Sequence, residues 1–244
     1  MSFNVALGEA AWGWRRFVAG SALLLGLAGL ALMAVFLVVL GLDPSDPFAE
    51  LVAAGRNPAA YRLASLLDML VWVGIGGVLL AFAGWFAARA PIRALLLAAL
   101  GTGQAIGALG GVLRLGTLGE LAARYAAAAP DQQAALGQIH LTLVQVIGSH
   151  YGLGQWFYGL GYLVIASLAF SRAGVPRWLA VWFAVAGVYS VANQLAVVVT
   201  GALLPGALFL VFMLGQDLVS LAMAVIFWRG AAAPAARVAP DPVV

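Results

Sequence analysis

Apolar residues fill six long stretches of the chain, separated by short polar or proline-containing connections. The stretches cover about 17–41, 63–88, 94–116, 147–170, 178–200 and 205–228. A helix that crosses a membrane needs roughly 20 mostly apolar residues at 1.5 Å rise each. The pattern therefore predicts an all-α polytopic helical bundle of six transmembrane helices. One membrane domain is expected over 1–229, followed by a disordered tail over 230–244 that is rich in Ala and Pro. Asp46 before Pro47 predicts the N-cap of a short surface helix, and Asn57 before Pro58 predicts the start of the helix carrying span two. The helical pattern from 134 to 170 would reach ~55 Å, against a hydrocarbon core of ~30 Å. Span four is therefore placed at 147–170, with an amphipathic helix leading into it.

Composition agrees with this picture and narrows the chemistry. Of 244 residues, 64% are hydrophobic and 9% charged, which is too few to solvate a water-soluble surface. Cysteine is absent, so disulfides, thiolate nucleophiles and iron–sulfur clusters are excluded. Lysine is absent too, which excludes Schiff-base cofactors and a Walker-type phosphate loop. The net charge of +3 comes from arginines at helix ends rather than in a patch, so nucleic acid is not an expected partner. Eight arginines fall on the side of the termini (15, 16, 89, 93, 172, 177, 229 and 237) and four on the other (56, 62, 114 and 124). This bias predicts cytoplasmic termini. Trp12, Trp14, Arg15 and Arg16 precede span one as anchors at headgroup level. That span exceeds the apolar core of a cleavable signal peptide and is expected to be retained.

Ionisable groups inside spans are the candidate chemistry, because each costs roughly 2.5–3.5 kcal/mol at the bilayer centre unless it has a partner or water. Asp68 lies early in span two and Asp217 near the middle of span six. Each reads either as a proton-titrating or cation-binding site or as a group that holds helices together. Arg114, near the end of span three, either snorkels outward or reaches back to Asp68. Tyr151, Gln155, Tyr158 and Tyr162 share one helical face, as do Tyr189 and Asn193, with Gln194 beside them. Together with Gln104 and His150, these residues suggest an outward-facing polar cavity lined by Asp68, Gln104, Arg114, His150, Gln155, Asn193, Gln194 and Asp217. The alternative is hydrogen bonding between helices without a cavity. Gly103, Gly107 and Gly111 form a ladder that lets helices approach closely, within the bundle or between subunits. His140 and His150 are ~15 Å apart along one helix and cannot share a metal. No catalytic, cofactor or metal motif is found.

From span two onward the chain resembles a family of bacterial six-span membrane proteins, domain of unknown function 4386. The likeness rests on Asp68 followed by an Arg-flanked turn and the Ala/Leu-rich run to Leu100. It rests also on Gly161-Tyr162-Leu163, Ser171-Arg172, Pro176-Arg177-Trp178-Leu179 and Ala186-Gly187-Val188-Tyr189. Asp217 and Trp228-Arg229-Gly230 complete it. The sequence departs from the family in span three, where Gln104 stands near an expected arginine, and in carrying Gln216-Asp217 where glutamate is usual. The resemblance implies six spans and a bacterial inner-membrane location, and it implies no activity. Three readings stand. One is a carrier or receptor for a small solute or proton. Another is a scaffold acting through a membrane partner or a second copy of the chain. The third, an enzyme acting on a lipid-soluble substrate through Asp68, His150 and Asp217, is the weakest.

Overall fold

Proline, asparagine and glycine set several helix ends in the computed structural model, which describes residues 3–41, 48–171, 175–201 and 206–232. The Asn57 side chain accepts a hydrogen bond from the Ala60 amide at 3.1 Å, and Pro58 takes the first helical position, where no amide is needed. Helix α3 (Pro58–Phe86) starts there, as the Asn-Pro pair predicts. Pro91 likewise takes the first position of α4 (Pro91–Gly103), there without a side-chain cap. Gly201 closes α8 (Arg177–Thr200) at φ 72°, a left-handed conformation that suits glycine. The other helices are α1 (Phe3–Ala34), α2 (Ala49–Arg56), α5 (Ala105–Leu113), α6 (Gly119–Ala127), α7 (Pro130–Ser171) and α9 (Gly206–Ala232). A π-helical turn, Val35–Val39, extends α1, and a second, Arg114–Leu118, joins α5 to α6. The expected cap at Asp46, the Arg172 turn, the start of span six at 205 and the tail beyond 232 lie outside the described residues.

Among the described residues, six helical segments are long and apolar enough to cross a membrane. The chain is a multi-pass helical membrane bundle. Helix α1 lies between α3 and α9, and glycines permit both contacts. A Cβ added at Gly74 of α3 would sit 2.9 Å from the Leu25 backbone, and one at Gly26 of α1 would sit 2.8 Å from Leu221 of α9. Between α7 and α8, a Cβ at Gly187 would come 2.8 Å from the Gly159 carbonyl. The Gly103–Gly107–Gly111 ladder is used inside the bundle, where it receives Phe157, Trp72 and Met69.

Helix α9 meets α7 and α8 differently. Large aromatic side chains bridge that gap: Phe212 stacks on Tyr189 at 4.2 Å and on Trp182 at 5.9 Å, and meets Tyr158 edge-on at 6.5 Å. At the end of the bundle that holds the termini, Phe82 packs with Phe86, Phe183 and Phe227. There the Arg15 guanidinium donates to the Gly230 carbonyl at 2.9 Å, tying the two terminal helices.

The opposite end carries a small cap. Helix α7 runs unbroken for 42 residues, ~63 Å, where a separate leading helix was expected. Its first turns do not lie apart on the membrane, because they have partners. Phe48 lies against Gly137 and His140, and Gln133 donates to the Tyr125 carbonyl at 3.2 Å. Leu51 and Ala54 of α2, Leu121 and Ala122 of α6, and Ile147 of α7 close a second hydrophobic core over Tyr61.

Candidate functional site

The bundle holds two polar centres, and the first sits where the cap meets the spans. The π-helical turn that begins at Arg114 interrupts regular helix there, and such turns recur at functional sites. Arg114 points inward. Its Nε lies 2.7 Å from Glu50 Oε1 and its Nη1 3.5 Å from Asp68 Oδ2. Nη1 also donates to the Tyr151 hydroxyl at 3.2 Å, and Tyr151 donates in turn to Asp68. Tyr61 donates to Glu50 at 2.8 Å. The ring of Phe36, on the other π-helical turn, lies 5.9 Å from the guanidinium. Two carboxylates thus share one guanidinium, and each phenol donates to the same carboxylate oxygen that the guanidinium approaches. The side chains of Arg114, Glu50 and Asp68 are 12–18% exposed. The ion pairs therefore act in a medium less screened than water.

The second centre lies deeper, between α7, α8 and α9. Gln216 is its hub. Its Oε1 accepts from Tyr158 at 2.8 Å and from Trp182 Nε1 at 3.1 Å, while its Nε2 donates to Tyr162 and to Ser220, both at 3.0 Å. The amide is fully used. The next residue contrasts with it. Asp217 is completely buried, and neither carboxylate oxygen has a hydrogen-bond partner among the described residues. The carboxyl faces Gly29 of α1, where any added Cβ would fall on its atoms.

The sequence-predicted candidates are found at several places among the described residues. Asp68 and Arg114 come together at the first centre. Gln155 accepts from Ser190 of α8 at 3.1 Å. Buried Gln194 has its Oε1 3.2 Å from where a Cβ on Gly152 would stand, and Asn193 is buried one residue earlier. Gln104 is buried at the junction of α4 and α5 and donates to the Gly154 carbonyl at 3.3 Å. His150 is half-buried, with its Nδ1 2.8 Å from the Val146 carbonyl on its own helix. Asp217 stands against α1. No contact among the described residues joins Asp68, His150 and Asp217, the set a membrane enzyme would need. The described residues include no cluster of three metal-ligating side chains.

Sequence reasoning missed Glu50, Tyr61 and Trp182. Glu50 lies on α2, outside the spans, and only the fold brings it to Arg114. Tyr61 carried a usable signal, since it sits one turn before Ser65 and two before Asp68. The family model described as "Domain of unknown function (DUF4386)" matches residues 18–233. No curated protein and no solved structure matches the chain.

Proposed function

The chain belongs to the DUF4386 family, a domain of unknown function, and from that premise we propose that it binds a proton or a small solute within the membrane, with Asp217 as the binding group. The buried, unpartnered carboxyl of Asp217 carries this reading. An isolated charge costs several kcal/mol at that depth, so the group needs a proton or a cation for company. Intramembrane carboxylates of this kind mark proton and ion pathways in pumps and transporters. The location that fits is the bacterial inner membrane with both termini in the cytoplasm, as the arginine bias favours. The Arg114 centre then faces outward, beneath the cap. A scaffold role is the second reading. It is supported by the glycine-mediated contacts that leave little room between α1, α3 and α9.

Infrared spectra in lipid nanodiscs separate the two. The expected result is a carboxyl band that is lost in Asp217→Asn and that changes in wild type with pH or with added cation. A band indifferent to both, in a protein whose Asp217→Asn variant folds normally, would remove the proton or solute site and leave the scaffold.

A further inference from the structure

A groove of about 640 Å³ opens sideways between α1, α3 and the junction of α4 with α5. It exists because glycines line it. Gly76 of α3 and Gly101 of α4 bring their backbones together at its floor, where a Cβ at Gly76 would lie 2.9 Å from the Gly101 carbonyl. Gly20 of α1 forms part of the rim and has nothing within 4 Å of its Cβ position. The walls are apolar, including Leu24, Val73 and Leu80.

Two features say what fits. The first is depth. Along α1 the groove runs from Arg16 to Leu24, ~12 Å. That is close to the ~15 Å of hydrocarbon in one leaflet of a ~30 Å core. The second is charge. Arg16 stands at the mouth, its guanidinium 3.7 Å above the Trp12 ring and 5.5 Å from that of Trp228. Tryptophans prefer the headgroup level. No carboxylate pairs with Arg16 among the described residues. Arg16 is the one basic residue lining the groove, and a cation at headgroup level above a one-leaflet apolar slot complements an anionic lipid.

We propose that this groove holds one acyl chain of an anionic phospholipid, with the phosphate against Arg16. The site is independent of Asp217, which lies on the other side of α1. The test is lipid titration of the delipidated full chain in detergent, read by native mass spectrometry. Phosphatidylglycerol and phosphatidylcholine of equal chain length serve as probes. Wild type should prefer phosphatidylglycerol about fivefold, the worth of one basic side chain near the surface, and Arg16→Gln should bring that ratio close to one. Gly20→Leu, which fills open space, should weaken both lipids about tenfold, as displacing two buried methylenes would. Gly13→Leu is on the same helix, outside the groove and equally unobstructed; it should bind as wild type does. Equal binding of the two lipids by wild type would overturn the proposal, as would Gly20→Leu binding at wild-type strength. A dimer that Gly20→Leu turns into monomer, with lipid binding unchanged, would assign the groove to a second copy of the chain instead.

Discussion

Gly29→Ala tests the α1–α9 contact most directly, because the structure supplies both its effect and its control. Replacing glycine by alanine inside a helix is worth up to about 1 kcal/mol in the alanine's favour. At Gly20, where nothing lies within 4 Å, that gain is the only term, so Gly20→Ala should be neutral or slightly stabilising. At Gly29 the new methyl would coincide with the Asp217 carboxyl, so α1 and α9 must separate or the carboxyl must turn. Overpacking of this kind costs about 1–3 kcal/mol, and that cost is the expected difference between the two variants. Equilibrium unfolding in mixed micelles, titrated with dodecyl sulfate and followed by near-UV circular dichroism, measures it. Adding Asp217→Ala to Gly29→Ala should return most of the loss, giving a coupling energy within the roughly 0.5–3 kcal/mol typical of touching residues. If Gly29→Ala is as stable as Gly20→Ala, the close approach of α1 to Asp217 is wrong.

Three further outcomes follow from the polar centres and caps. Arg114→Leu leaves Glu50 and Asp68 without their shared cation and should destabilise by about 3–5 kcal/mol; proteolysis within the α6–α7 connection should rise with it, because the cap loses its tie to the spans. Gln216→Leu strands Tyr158, Tyr162, Trp182 and Ser220 and should cost about 2 kcal/mol, at ~0.6 kcal/mol per interhelical bond in a membrane, read in the same unfolding assay. Asn57→Ala removes the side-chain cap of α3 and should cost about 1 kcal/mol, while Asn57→Asp keeps most of it; equal stability of the two would show that the cap bond contributes nothing.

The spans were legible because lipid imposes a one-dimensional requirement, a long enough run of apolar residues, that hydropathy reads directly. The helix start at Asn57-Pro58 was legible for a similar reason, since capping is a matter of near neighbours. The Asp68–Arg114 contact was within reach as one of two options for Arg114, because span two and span three are consecutive and antiparallel. Glu50 was not, since periodicity places a side chain on a face without saying which other element meets that face. The same limit explains the polar stripe on α7. Tyr158 and Tyr162 do look into the bundle, yet they converge on Gln216, while Asp68 is reached through Tyr151. The isolation of Asp217 depends on Gly29, one glycine among 30, with nothing in its local sequence to distinguish it.

The tie between Arg15 and Gly230 has a consequence for how the protein is made. The two residues are 215 apart in sequence. At a synthesis rate of roughly 5–20 residues per second, the first helix leaves the ribosome on the order of 10–40 s before its last partner. Through that interval α1 waits in the membrane with Gly26 and Gly29 uncovered, holding only its contact with α3. Assembly is therefore completed from the end of the chain. A ribosome that stalls before α9 leaves an open five-span intermediate with a small-residue face exposed, the kind of surface that membrane quality control is positioned to meet.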